Sequence, residues 1–337
     1  MKHLGALGID EPSRVGEARR LAVAVCAALD FDDTRLGEVA IVVTELATNL
    51  LKHAGAGQIL LRRIEYPEAP ERSVPGIEIL ALDRGPGIAN LAQSLQDGYS
   101  TAGGAGNGLG AVRRLSALFD SYSAPGKGTA VLARIWRRAF SRALPARLLT
   151  LGAVHLPLAG EEACGDAWAA AQSGERALAM VADGLGHGPV AADAAAAALR
   201  VFREHTTLAP QELVARMHGA LAGTRGAAVA VAEVLRDEGV VRYAGVGNIA
   251  GRLCAGTGVR QMVSHHGIVG GEARTIQQFQ YPWPAGALLV LHSDGLASHW
   301  NLDDYPGLHQ RHPSLIAGVL YRDHARASDD VTVLVGR

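Results

Sequence analysis

Residues 83–115 read DRGPGIANLAQSLQDGYSTAGGAGNGLGAVRRL, a glycine-dense stretch that passes directly into a helix-like pattern. Glycine loses more backbone freedom on ordering than any other residue and brings no side chain to pack. A folded chain keeps this much of it either as a surface loop or where backbone must run close to a ligand. Phosphate fits the second case when a helix follows, because a helix N-terminus offers unpaired N–H groups and a favourable dipole. The rest of the chain decides between the two.

At 337 residues the chain is long enough for about two domains, each with its own core. A formal net charge of −1 excludes a polyanion-binding protein as a whole, since such affinity needs accumulated Lys and Arg, and no nucleic-acid partner is expected. Cys26, Cys164 and Cys254 are far apart, so neither a disulfide framework nor a thiolate zinc site is suggested. The opening MKHLGALGIDEPSR lacks an apolar targeting core and no apolar run is long enough to span a bilayer, so a cytoplasmic protein with no membrane partner is expected.

The Arg-rich RRAFSRALPAR, which holds Pro145, separates two differently patterned halves. It reads as a solvated connector, with docking of a phosphoprotein as the other reading of its arginines. The expected division is a first domain over 1–138, a linker over 139–147 and a second domain over 148–337. In the first, helices are expected over 11–30, 33–54 and 108–120, strands over 58–66 and 76–83, and a final hairpin over 121–136. The second alternates short strands (176–183, 227–235, 240–248, 287–294 and 331–336) with helices over 189–205 and 210–221.

Glu45 and Asn49 are four apart on the second helix and share a face, which His53 continues at the helix end. Alone they are an ordinary polar stripe on an apolar helix. In combination with the glycine clusters they can do more. Asp83 closes an apolar strand, and Gly85 and Gly87 follow it in a tight turn; GNGLG then opens a helix. A carboxylate at a strand end can accept an amino proton from a base, glycine-flanked amides can hold phosphates, an Asn oxygen can bind Mg²⁺, and a Glu can orient a hydroxyl. The pattern is neither a P-loop nor a dinucleotide fingerprint.

TELATN, DRGPGI, DGYSTAGGAGNGLGAVRRL and GKGT, in this order, resemble the nucleotide boxes of the GHKL ATPase superfamily, and most of all its RsbT-type serine kinases, over about residues 5–138. The resemblance implies an ATP-binding α/β sandwich of the Bergerat type. It assigns Glu45 to catalysis, Asn49 to Mg²⁺ and Asp83 to adenine. Gly85, Gly87, Gly106, Asn107, Gly108, Leu109 and Gly110 fall in the nucleotide loops, with Thr129 near the adenine. On this reading the glycines are there for phosphate.

In the second half Asp166, Asp183, Asp294 and Asp329 stand at strand ends or tight turns. Each alone reads as a turn residue. Together they suggest a hard-metal site built from carboxylates, in which two ions share a hydroxide that attacks phosphorus, with the Gly184 carbonyl as a further ligand. CGDAW, VADGLGHG, YAGVGN, GIVGG, SDGL and SDDVTVL resemble the SpoIIE/RsbX-like branch of the metal-dependent serine/threonine phosphatases. That resemblance implies an α-β-β-α sandwich over 148–337, two Mn²⁺ or Mg²⁺ ions on Asp166, Asp183, Gly184, Asp294 and Asp329, and those four aspartates as the catalytic set. Asp330 stands where larger relatives carry Asn, and His187 is expected to be structural. The function implied is a bifunctional signalling enzyme that phosphorylates STAS-domain antagonists or stressosome-type proteins with ATP and Mg²⁺, and hydrolyses phosphoserine or phosphothreonine. The alternative is a partner-switching protein whose ATP-binding domain sequesters a sigma factor or its regulator, or activates a downstream phosphatase, with only the phosphatase domain catalytically active.

Overall fold

The computed structural model of the chain describes residues 3–69, 72–88, 108–138, 148–256 and 258–337. Two compact units emerge. One contains Met1–Leu144 and Asn301–Arg322, the other Pro145–Trp300 and Asp323–Arg337.

In the first unit, α1 (Pro12–Ala27) starts with proline at its first turn, where the missing N–H costs nothing. The second helix, α2 (Asp33–Asn49), is capped by Asp32, which accepts the Arg35 N–H at 2.8 Å. Val39, Val42, Val43, Leu46 and Ala47 recur at helical spacing and are all buried. They cover one face of a five-stranded antiparallel sheet in the order β1 (His3–Ile9), β2 (Gly57–Ala69), β3 (Arg72–Leu82), β5 (Thr129–Trp136), β4 (Leu118–Ser123). Alternation sets the faces: Ile77, Ile79 and Ala81 of β3, with Ile59 and Leu61 of β2, join the helix-side core. Residues 78, 80 and 82 point the other way. There Glu78 is buried between Arg62 (2.5 Å) and Arg134 (2.6 Å). The helix α3 (Gly108–Leu115) is shorter than the expected 108–120. Ser116 turns its hydroxyl back to the Val112 carbonyl at 2.7 Å, and Leu118–Ser123 pairs with β5 instead, so sheet pairing overrides the helical pattern.

The second unit is a sandwich of two five-stranded antiparallel sheets. One runs β13 (Gln278–Pro282), β10 (Val240–Val246), β9 (Ala227–Leu235), β8 (Arg176–Gly184), β7 (Asp166–Ser173); the other runs β12 (Gly258–Met262), β11 (Ala250–Ala255), β14 (Leu288–His292), β15 (Val331–Gly336), β6 (Leu151–Leu156). Along β8, Ala177, Ala179 and Val181 face Leu289, Leu291 and Leu334 of the opposite sheet. Leu178, Met180 and Ala182 face the helices α4 (Pro189–Glu204) and α5 (Pro210–Ala220). A sixth helix, α6 (Pro313–His324), was not expected from sequence; Pro313 through Leu320 are buried without interruption. Among the described residues no helix is long and apolar enough to cross a membrane.

Candidate functional sites

In the first unit, α2 presents Glu45 and Asn49 one turn apart, and directly after Asn49 the helix widens into a π turn over Leu50–Ala54. Such widenings concentrate at functional sites because they re-aim the flanking side chains. Gly108, the first residue of α3, rests on this stripe. A Cβ there would lie 2.8 Å from Glu45 Oε2 and 3.7 Å from both side-chain heteroatoms of Asn49. Any side chain at 108 would displace the carboxylate. Leu109 packs into the helix-side core and Gly110 is buried, which anchors the start of α3. Gly106 and Asn107 lie outside the described residues.

Asp83 follows β3. Its Oδ1 accepts the N–H groups of Gly85 (2.8 Å) and Thr129 (3.0 Å), and burial raises its pKa. Gly85 is pressed onto the π turn: a Cβ there would lie 2.7 Å from the Ala54 methyl. Gly87 has φ +75°, and a side chain would collide with the Ala124 carbonyl. Ser123, which sequence reasoning missed, fastens this corner by accepting the Ile88 N–H at 2.7 Å and lying 2.9 Å from the Thr129 hydroxyl. The structure therefore brings Gly108 against Glu45 and Asn49, and joins Asp83 to Gly85 and Thr129, with Gly87 in the turn that follows.

In the second unit the four aspartates come from two sheets. Asp166 opens β7 directly opposite Asp183 at the end of β8, while Asp294 follows β14 and Asp329 precedes β15. Burial pushes the Asp183 carboxyl well up, and the charges of Asp166, Asp294 and Asp329 push it further. Burial likewise raises Asp166, and burial together with Asp294 raises Asp329. Carboxylates that repel one another this way call for a cation. Asp166 Oδ2 accepts the Ser293 hydroxyl at 2.7 Å, but its Oδ1 is buried with no hydrogen-bond partner. Buried polar atoms are almost always paired, so this oxygen fits a metal ligand. Among the described residues no three such side chains stand close enough together to hold a metal ion, although the charges of Asp166, Asp294 and Asp329 all act on Asp183. Gly184 ends β8 against α4, where a side chain would collide with the Ala191 carbonyl.

Neighbours of the aspartates have clear positions. Asp330 turns inward, accepting Leu158 N–H on Oδ1 and Gly165 N–H on Oδ2, each at 2.8 Å, and so holds the 158–165 loop that leads into Asp166. Asn248, the last residue of YAGVGN, donates to Asp294 Oδ2 at 2.8 Å, a contact that no local pattern announces. Ser293 was missed as well, although it immediately precedes Asp294. His187 is exposed and 2.8 Å from Glu161 Oε1. Burial, with the charges of Asp166 and Asp330, raises the Cys164 thiol well above its ordinary range.

Residues 10–135 match the histidine kinase-like ATPase domain, and residues 173–337 match stage II sporulation protein E (SpoIIE). The serine/threonine-protein kinase RsbT of Bacillus subtilis (strain 168) is 36% identical over 121 residues, which make up 36% of this chain and 87% of RsbT. The chain belongs to the histidine kinase-like ATPase family. Behind its RsbT-like part it carries a SpoIIE-type domain. There the phosphoserine phosphatase RsbX of the same organism is 23% identical over 181 residues, 53% of this chain and 89% of RsbX. A solved chain from work on the bacterial stressosome, described as a modular system adapted to control secondary messenger signalling, is 28% identical with a TM-score of 0.53. It aligns with 56% of this chain and 99% of its own length. A kinase-type ATPase domain and a metal-dependent phosphatase domain are thus fused in one polypeptide.

Proposed function

We infer that the chain is a bifunctional regulator of partner switching: its first unit phosphorylates Ser or Thr of a STAS-domain partner of the stressosome type with Mg·ATP, and its second unit hydrolyses such phosphoesters with two divalent ions. What carries this reading is the pairing of Glu45 and Asn49 under Gly108 in one unit with four mutually repelling aspartates in the other. Asn49 would bind the Mg²⁺ of Mg·ATP, and Glu45 would take the proton from the attacking hydroxyl. Asp83 has committed Oδ1 to backbone N–H groups, which leaves Oδ2 to receive an adenine amino group. The α3 N-terminus at Gly108–Gly110 would meet phosphate, together with the preceding Gly106 and Asn107. Thr129 would line the adenine end.

In the second unit Asp166, Asp183, Asp294, Asp329 and the Gly184 carbonyl would hold the metal pair. Bound metals supply an activated hydroxide there. Ser293 donates to Asp166 Oδ2 and Asn248 to Asp294 Oδ2, which leaves the other oxygen of each carboxylate for a metal. Likeness to a serine/threonine-protein kinase, RsbT, and to a phosphoserine phosphatase, RsbX, supports this substrate class. Incubation with γ-labelled ATP and a purified STAS protein tests the reading. Label should move to the partner in Mg²⁺ and be released as phosphate when Mn²⁺ is added. Nucleotide binding without any transfer would favour the sequestering regulator instead.

A further inference from the structure

Between Asp294 and Asp329 the chain makes a long excursion, and Asn301–Arg322 groups with the first unit. Both feet of the excursion are tied in the second unit. Ala297 N–H donates to the His324 carbonyl at 2.9 Å, Arg326 N–H donates to the Gly295 carbonyl at 2.8 Å, and Leu296 pairs with Ala325. Trp300 lies under the Arg252 guanidinium at 4.3 Å and donates its indole N–H to His292 Nε2 at 3.3 Å. The stem thus closes a few residues from two of the four aspartates.

The far end lies along β3 of the first unit. Ser314, Gly318 and Arg322 are four apart and form one row of α6. The Ser314 hydroxyl donates to Glu78 Oε2 at 2.8 Å, and Arg322 Nη1 donates to the Asp83 carbonyl at 2.7 Å. Between them a Cβ on Gly318 would lie 3.2 Å from Leu82, so the small residue lets helix and strand approach. The row thus meets β3 at Glu78 and Leu82 and the residue after the strand at Asp83. His312 N–H donates to Asp120 Oδ2 at 2.7 Å, the Lys127 ammonium lies 5.2 Å over the Tyr305 ring, and Arg84 donates to the Arg322 carbonyl. Asp83, Arg84 and Lys127 belong to the corner that holds the Asp83 carboxylate.

We propose that residues 301–322 are a coupling arm through which nucleotide bound at Asp83 tightens divalent-metal binding at Asp294 and Asp329. This rests on the nucleotide and metal assignments made above. Nucleotide orders the Asp83 corner, the corner holds Arg322 and Tyr305, and an ordered arm restrains the stem that carries both aspartates. The ordering cost of metal binding is then partly met in advance, which gives positive cooperativity. Linkage requires the metal to tighten nucleotide binding by the same factor.

The test uses the full chain, with free Mn²⁺ set by a metal buffer and p-nitrophenyl phosphate as phosphatase substrate. Saturating ADP should lower the half-activating Mn²⁺ concentration about fivefold or more, within the usual range of allosteric coupling. Saturating Mn²⁺ should lower the dissociation constant of a fluorescent ADP by the same factor. Arg322→Met and, separately, Ser314→Ala should shrink both shifts while each ligand still binds, and either soluble variant suffices for this arm of the test. Measurable ADP binding with an unchanged or raised Mn²⁺ requirement overturns the coupling alone. A shift of full size in both variants overturns the role of the arm. Absence of ADP binding overturns the nucleotide assignment and the coupling with it.

Discussion

Removing one carboxylate should stabilise the metal-free phosphatase unit and destabilise the loaded one. Asp166 and Asp183 are directly opposed across the β7–β8 ladder, which puts their Cβ atoms about 5 Å apart. Two unit charges about 5 Å apart interact by roughly 3 kcal/mol at an effective dielectric constant of about 20. The fold relieves part of this by holding a proton on Asp183, whose pKa burial and the neighbouring aspartates raise. A raised folded value means that the native state binds this proton more tightly than the unfolded chain does. Stability then declines as pH rises from about 4 towards the folded pKa. Asp183→Asn removes both the repulsion and that decline. In chelator at pH 8 the variant should be about 1–3 kcal/mol more stable than the parent, roughly 3–10 °C in the melting of this unit. At pH 5 the gap should narrow. Saturating Mn²⁺ should reverse the order, because only the parent gains binding energy in the native state. Scanning calorimetry of both proteins with chelator and with Mn²⁺ reads all three outcomes. A variant no more stable than the parent in chelator at pH 8 would refute the claim that the aspartates repel across an open metal site.

Three further outcomes are expected. Asn49→Ala should abolish Mg·ATP-dependent transfer to the partner with an unchanged circular dichroism spectrum; transfer at the parental rate would remove Asn49 from the metal. Burial alone would raise the pKa of Glu78, but Arg62 and Arg134 outweigh it and hold the carboxyl far below its ordinary value, so its contribution to stability is present above about pH 4 and lost as acid protonates it; Glu78→Gln should lower stability by about 3–5 kcal/mol in urea titration at pH 7, and a loss under about 1 kcal/mol would refute the buried ion-pair account. The carboxylate-rich phosphatase site should prefer Mn²⁺ over Mg²⁺, whereas the kinase site takes most of its metal ligands from ATP. Adding Mn²⁺ at fixed Mg·ATP should therefore lower steady-state phosphopartner, and Asp294→Asn should erase the drop, which phosphoprotein gels would read.

What was legible in the sequence is what local chemistry alone dictates. The α2 stripe could be read from helical spacing, Asp183 and Asp294 from Asp-Gly pairs after apolar runs, and Asp83 from an apolar strand that ends on a carboxylate. The residues that hold those carboxylates in place were not legible. Ser293 and Asp166 are joined by one hydrogen bond although they are far apart in the chain, and Asp330 reaches back to Leu158 and Gly165. Such contacts exist only once two sheets have stacked. The strand β7, written DAWAAAQS, carries the alanines of a helix and becomes a strand because β8 offers it a full ladder. The expected α3 ran on to 120 for the converse reason, since nothing local announces that Leu118–Ser123 has a partner in β5.

The same distinction bears on α6. Its row of Ser314, Gly318 and Arg322 is small, absent and charged, which no amphipathic pattern would select as a packing face. Across from it, Glu78 looks equally out of place in the apolar strand GIEILAL. Each oddity has a cost on its own: a buried carboxylate needs cations and donors, and a buried arginine needs acceptors. Together they answer one another, because Ser314 and Arg134 serve Glu78 while Arg322 finds the Asp83 carbonyl. A helix bound only by apolar contacts could slide along β3 by a turn at little cost. Polar contacts at both ends of the row oppose that slide, since it would break the Ser314–Glu78 bond at one end and the Arg322–Asp83 bond at the other. The arm therefore has one register against the strand that ends at Asp83.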